Sequence, residues 1–218
     1  MKLSEWLFRN WLAFAILLIP IALLLYLWPE IPDHVPAHWN AAGEIDDFGS
    51  KYSLFLMPGL GMLAILIVLI FVYWDPRNSM EKYQHVLQNM MVIIALFMSI
   101  MSMSISLYAA NYEIDVMQII FYAVLGLNLF LGNLFGKLKP NYFVGIRTPW
   151  TMESDSVWHK THRFSGKVWV AASLIMMLIL PVFPINIFIV LFFGYLSVLV
   201  ILPVIFSWQQ FQQEKASA

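Results

Sequence analysis

The chain has 218 residues, of which 61% are hydrophobic and only 11% charged, with a formal net charge of −1 and a mean hydropathy of +0.76. A soluble domain carries about a quarter charged residues, so this composition excludes the ordinary globular class and calls for lipid as the solvent of the outer surface. The chain contains no cysteine, which excludes a disulfide frame, a thiol nucleophile and a thiolate metal site.

Lys2 and Arg9 precede the first apolar run, as in a secretory signal. That run is too long for one, and it ends in Trp28, Pro29 and Glu30 in place of a small-residue cleavage site. It therefore reads as a retained helix. A helix needs about 20 apolar residues to cross the hydrocarbon core, and residues 10–29, 52–74, 83–112 and 116–136 each supply one crossing between charged residues. The last stretch, 168–213, is too long for one helix and carries Pro181, Pro184 and Asn186 near its middle. These turn formers predict two helices joined by a tight hairpin. The expected fold is all-α, a polytopic bundle of six transmembrane helices.

Lysine and arginine accumulate on the cytoplasmic side of short loops. With both termini inside, Lys2, Arg9, Arg77, Lys82, Lys137, Lys139, Arg147, Lys160, Arg163, Lys167 and Lys215 all lie inside, and Lys51 alone lies outside. Trp11, Trp28, Tyr52, Tyr73, Trp74, Trp169 and Trp208 fall near span ends, as an interfacial aromatic belt predicts. Three stretches organise the chain: 1–75, a helix pair with an ordered outer loop at 29–52; 76–136, helices three and four; and 137–218, an inner loop with helices five and six. They are expected to form one compact membrane domain.

The outer segment PEIPDHVPAHWNAAGEIDDFGSKY (29–52) is rich in proline, asparagine and glycine, which predicts an irregular but ordered loop. Glu30, Asp33, Glu44, Asp46 and Asp47 oppose a single lysine there. That acidic surface is read in two ways, as a plain solvated loop or as a face for a cationic peptide or divalent ion. His34 and His38 have the four-residue spacing of helical metal ligands, but Pro36 between them argues against the helix and no metal is assigned.

The inner segment KLKPNYFVGIRTPWTMESDSVWHKTHRFSGK (137–167) begins as a packed turn around Pro140, Gly145 and Pro149. A helix is expected from Thr151 as N-cap, with Glu153 and Asp155 in its first turns, running into span five. Trp158, His162, Ser165 and Trp169 then share one stripe, and Asp155, His159 and His162 are the inner set that resembles an acid/base or ligand cluster. Arg147, among Gly145, Ile146, Thr148 and Pro149, is expected to be held by specific hydrogen bonds. Lys160 and Arg163 read as topology signals and headgroup contacts.

Within the membrane, Gly132 and Gly136 have the spacing that permits close helix approach, and Asn128 and Asn133 are expected to face the bundle. Those asparagines support interhelical hydrogen bonding or, as a sharper reading, a transport path. No span carries a central acid or base, which counts against ion coupling. The serines and methionines of span three suggest adaptable packing. No phosphate-binding, hydrolase or nucleic-acid motif is present.

The inner segment KPNYFVGIRTPWTMESDSVWHKTHRFSGK is similar to the signature of the SdpI family of bacterial membrane proteins. The outer set Pro36, His38, Trp39, Asn40, Gly43, Asp46, Gly49, Ser50 and Lys51 resembles the uncharacterised domain common at the N-terminal end of that family. This resemblance implies a multi-pass protein of the bacterial cytoplasmic membrane, not an enzyme, with no cofactor. It implies immunity to a secreted peptide toxin met outside and signalling to a repressor protein inside, without direct nucleic-acid contact. His38, Asn40, Glu44, Asp46, Asp47 and Lys51 are then the outer binding residues. Pro140, Asn141, Gly145, Arg147, Thr148, Pro149, Trp150, Trp158, His162 and Arg163 form the inner signalling or structural motif. The alternatives are a small transporter using Asn128 and Asn133, or a membrane-embedded enzyme using Asp155, His159 and His162.

Overall fold

Lipid cannot hydrogen-bond a peptide group, so a chain this apolar must satisfy its backbone internally, and helices do so most simply. The computed structural model describes residues 8–40, 43–74 and 84–217. Within them lie helix α1 (Trp11–Leu27), strands β1 (His34–Trp39) and β2 (Ile45–Ser50), a 3-10 turn (Lys51–Phe55), and helices α2 (Leu56–Tyr73), α3 (Gln84–Ala109), α4 (Val116–Phe135), α5 (Pro149–Glu153), α6 (Asp155–Ile179) and α7 (Ile185–Ser217). Four helical stretches, Lys51–Ile70, Gln84–Ala109, Val116–Phe135 and Ile185–Ser217, are long and apolar enough to cross a membrane. The protein is a mainly helical, multi-pass membrane protein. Helix α1 is shorter, and α6 is charged in its first half and apolar from Val168 onward. Lys2, Arg77 and Lys82 lie outside the described residues.

Leu25, Leu178, Val190, Phe193 and Val200 stand exposed around the bundle, while Ser99, Ser102, Ser106, Asn128, Thr161 and Ser173 are buried within it. This inversion suits a protein whose outer solvent is hydrocarbon. One core cluster joins Ala13 and Leu17 of α1 to Ile65, Met91, Phe135 and Trp158, and a second joins Phe121 and Leu125 of α4 to Met176, Phe188 and Leu199. The methionines of α3 mostly lie on its half-buried flank, whereas Ala95, Ser99, Ser102 and Ser106 line its buried face. Small residues there let α1 approach closely.

Two helices carry proline in their interiors, Pro20 in α1 and Pro203 in α7. Each lacks the N–H that would bond the carbonyl four residues earlier, leaving Ile16 O and Leu199 O without that partner. Each carbonyl is met by a side chain from the neighbouring helix. Ser99 Oγ donates to Ile16 O at 3.0 Å, and Trp169 Nε1 donates to Leu199 O at 3.0 Å. Trp169 is therefore no belt residue: its ring packs inside the bundle, 4.6 Å from that of Phe135.

Helices α4 and α6 cross where Gly132 and Gly166 meet. A Cβ at Gly166 would lie 2.6 Å from Gly132 O, and one at Gly132 would lie 2.6 Å from the Trp169 Cβ. Asn128 is buried one turn away, directed at Tyr195, whose hydroxyl is 2.8 Å from Ser173 Oγ. Asn133, expected to face the bundle as well, is exposed. Five residues correspond to about 140° of helix rotation at 3.6 residues per turn, so the two asparagines cannot share a face.

The outer segment is more regular than expected, because it folds as an antiparallel hairpin with shifts in register on either side of His38. Its strands are short and Pro36 sits where a paired N–H is not required. Under the hairpin, Val35, Leu54, Leu24, Leu27 and Ala109 form a third apolar cluster. The hairpin, the α3–α4 connection and the α6–α7 turn all lie at one end of the bundle, where Gly43, Asp115 and Pro181 border a common pocket.

If Trp169 is needed because Pro203 frees a carbonyl, the two positions are coupled. Trp169→Phe is expected to destabilise the protein by about 0.6 kcal/mol and at most about 1.7 kcal/mol, the average and upper value for interhelical hydrogen bonds in a folded membrane protein. In a Pro203→Ala background the same change should cost less than half as much. Reversible unfolding of the four proteins in mixed micelles checks the cycle.

Candidate functional site

At the end of the bundle opposite the hairpin, the chain between α4 and α6 closes into a knot organised by side chains. Asn141 is buried and uses its whole amide: Oδ1 accepts from Phe143 N at 2.9 Å and Val144 N at 2.7 Å, while Nδ2 donates to Lys139 O and Val144 O, each at 2.9 Å. Such saturation fixes a turn that backbone bonds alone would leave unmade. Gly145 follows at φ +120°, a conformation that side chains rarely adopt. A Cβ there would also collide with the His162 ring. Arg147 donates to Tyr142 O, the specific bond expected for it.

Helix entry is achieved in two steps. Thr148, not Thr151, is the first N-cap: its Oγ1 accepts from Thr151 N at 3.2 Å, and Thr151 Oγ1 accepts in return from Thr148 N at 2.9 Å. This is the reciprocal capping box, with Pro149 at the first helical position. Thr151 Oγ1 also donates to Ile146 O at 2.9 Å. The short α5 ends at Glu153, which therefore does not belong to the first turn of the long helix. Ser154 caps α6 by accepting from Val157 N at 3.2 Å, and Asp155 stands in the first turn.

His162 and Trp158 seal the knot from the α6 side. Ile146 N donates to His162 Nε2 at 2.9 Å, so Nε2 is unprotonated, and Nδ1 donates to Trp158 O at 2.9 Å. The rings stack with centroids 4.1 Å apart, and Trp158 Nε1 donates to Leu138 O at 3.1 Å. Burial pushes the His162 pKa down to about 4, opposed in part by the bond to Trp158 O. His159 and Asp155, on the same helix, are exposed. The three thus form no common site, and among the described residues no group of three His, Asp or Glu could hold a metal ion.

The last helix is fastened to this knot at two points. Thr148 Oγ1 donates to Ser207 Oγ at 3.1 Å, and Ser154 Oγ lies 2.8 and 2.9 Å from the two carboxylate oxygens of Glu214. Neither Ser207 nor Glu214 stands out in the sequence, because only the return of α7 brings them here. Of the predicted inner set, Asn141, Thr148, Trp158 and His162 are buried, Trp150 is half-buried, and Arg147 and Arg163 are exposed.

The hairpin end presents a different chemistry. His38 Nδ1 lies 2.5 Å from Asp46 Oδ1, Asn40 Nδ2 donates to Glu44 Oε2 at 3.2 Å, and Asp47 Oδ1 accepts from Phe48 N at 2.9 Å. Gly43, at φ +82°, makes the turn between the strands. Lys51 Nζ pairs with Asp33 Oδ1 at 2.8 Å and lies 5.0 Å from the Trp28 ring centroid. That lysine, by hydrogen bond and charge, holds the Asp33 carboxyl below the usual range. Lys51 is thus a strut of the hairpin base, whereas Asp46, Asp47 and Glu44 are exposed. Between the hairpin and helices α2 and α3 lies a cavity of about 260 Å³ bordered by Pro36, Trp39, Leu56, Leu60 and Ser102. The Ser102 hydroxyl has no partner among the described residues.

The knot, α6 and most of α7 coincide with the match to the SdpI/YfhL protein family, which spans residues 137–207 and so ends on the serine that Thr148 reaches. A second family model, a domain of unknown function termed DUF1648, matches residues 15–62, which comprise most of α1, the hairpin and the entry to α2. The chain therefore resembles the SdpI/YfhL family over its knot and the two helices that follow, and carries the second domain ahead of it. It is 26% identical over 173 residues to the protein named Immunity protein SdpI of Bacillus subtilis (strain 168), covering 77% of this chain and 79% of that one. It is also 43% identical over 58 residues to an uncharacterised protein of Archaeoglobus fulgidus, covering 24% of this chain and 31% of the relative. No solved structure matches.

The family motif in this chain makes stability depend on pH through His162. The unfolded imidazole titrates at 6.5 and the folded one at about 4, so the unfolded state binds more protons between those values. Stability contributed by the neutral ring is complete above pH 6.5 and falls as pH drops toward 4. Thermal unfolding in detergent should show a Tm that declines over this window, and His162→Gln should flatten the decline while lowering Tm at pH 7.5.

Proposed function

We propose that this SdpI/YfhL-like protein confers immunity to a secreted cationic, amphipathic peptide in a bacterial cytoplasmic membrane. The hairpin end lies outside as the receiving surface and the knot end lies inside as the output toward a repressor protein. The observation that carries the reading is the relation to an immunity protein along 77% of the chain. In this reading six helices cross the membrane, with both termini inside, because the lysines and arginines of the knot gather at one end.

The geometry gives the peptide two complementary contacts. Exposed Glu44, Asp46 and Asp47 offer charge, and the cavity between β1 and helices α2 and α3 offers apolar walls for a side chain. Asp46 is engaged by the His38 side chain, whereas Asp47 meets only the neighbouring Phe48 N–H among the described residues, leaving its second carboxylate oxygen toward solvent. At the other end, Arg147 and Lys160 are exposed on a rigid base, as a protein-docking face requires. Coupling between the ends requires two states that the peptide binds unequally.

The test is expression in a toxin-sensitive bacterium, with survival and membrane potential recorded during challenge by a killing-factor peptide. Wild type should protect, Asp47→Ala with Asp46→Ala should lose at least tenfold in protective dose at equal membrane levels, and Arg147→Ala should keep protection. No protection by wild type, or undiminished protection by the double variant, contradicts the reading.

A further inference from the structure

A groove of about 470 Å³ runs between α4 and α6, starting at the knot end. Gly132, Gly136 and Gly166 border it, Gly132 and Gly166 being the close crossing of the two helices and Gly136 facing the Arg163 backbone. Its mouth is polar, formed by Asn133, Arg163 and Lys167, all exposed. Beyond the mouth, its wall is Val170, Ala171 and Leu174. No acidic residue borders it, and neither cation makes an ion pair among the described residues.

The spacing along α6 sets the scale. Arg163, Lys167, Val170, Ala171 and Leu174 recur at helical intervals on one stripe, and eleven residues at 1.5 Å rise place Leu174 about 16 Å from Arg163. One leaflet of the hydrocarbon core is about 15 Å deep, half of a 30 Å core. The groove as a whole, from Arg163 to Leu174, is thus about one leaflet deep: two cations and an amide stand at its headgroup end, and the apolar wall from Val170 to Leu174 takes up about the last 6 Å. Asn133 also has a use here: facing outward, it stands where its amide can donate to a phosphate oxygen, whereas against bare hydrocarbon it would be costly.

We propose that this groove binds one anionic phospholipid of the cytoplasmic leaflet, its phosphate held by Arg163, Lys167 and Asn133 and one acyl chain lying along Val170, Ala171 and Leu174. A guanidinium paired with an ammonium suits a phosphodiester, and basic pockets between transmembrane helices on the cytoplasmic side are the known form of such sites. The bound lipid covers the glycine crossing of α4 and α6, and so braces the helix that carries the knot.

Native mass spectrometry of the purified full chain tests this, titrating dioleoyl phosphatidylglycerol against dioleoyl phosphatidylcholine. Wild type should hold one phosphatidylglycerol at least tenfold more tightly than phosphatidylcholine. Arg163→Gln with Lys167→Gln should reduce that preference at least fivefold, while Lys139→Gln with Lys160→Gln, the same charge change off the groove, should leave it. Should the first pair not accumulate, Ala171→Trp, which obstructs the channel, is expected to release the lipid from a protein of unchanged Tm. Equal loss in both charge pairs, no headgroup preference, or retention by Ala171→Trp overturns the proposal. Displacement of the lipid by equimolar inorganic phosphate does so as well, since the ligand is then free phosphate.

Discussion

A carbonyl freed inside a membrane has no water to donate to it, and this bundle is built around two of them. Pro20 and Pro203 each remove one rung from a helix, and Ser99 and Trp169 each supply the missing donor from the helix alongside. The packing of α1 on α3 and of α6 on α7 is thereby fixed in rotation as well as distance. Apolar contacts alone could not do this, because side chains lose little by exchanging one another for lipid tails. Ser104 and Ser106 of α3, bonded to carbonyls of their own helix, and the pair Ser173 and Tyr195 follow the same logic of polar groups answering polar groups.

The knot extends this logic into the loop. Asn141, Thr148, Thr151 and His162 satisfy backbone groups that neither helix nor strand would pair, and Gly145 lets the His162 ring come close. A loop saturated in this way is rigid, and Ser207 and Glu214 tie it to the far end of α7. Movement of α7 therefore cannot leave the knot untouched. That linkage runs from the end of the bundle near the hairpin, where α7 begins, to the opposite end.

Much of this was legible from residue spacing. Charge-free runs gave the helices, and Pro181 and Pro184 marked the turn before α7 because they cannot continue a helix. The motif residues were visible as a set, but their roles were not. Thr151 reads as a cap by its position before acidic residues, yet Thr148 takes that role because Pro149 is better placed at a first helical position. The hairpin was hidden by its prolines, which in a long sheet would forbid a strand and in a two-stranded edge do not. Asn133 was misplaced by type alone, since helix rotation decides facing. Trp169 reads as a belt residue because nothing local shows that Leu199 needs a donor; the signal lies 34 residues away in Pro203.

The functional account stands on the two ends lying on opposite sides of the membrane, with the acidic hairpin outside. The chain has no cysteine of its own, so single reporters can be placed without background. Asp47→Cys and Lys160→Cys variants, treated with a membrane-impermeant maleimide on intact cells and after permeabilisation, read the sidedness directly. The account predicts labelling of position 47 in intact cells and of position 160 only after permeabilisation; the reverse pattern would contradict it.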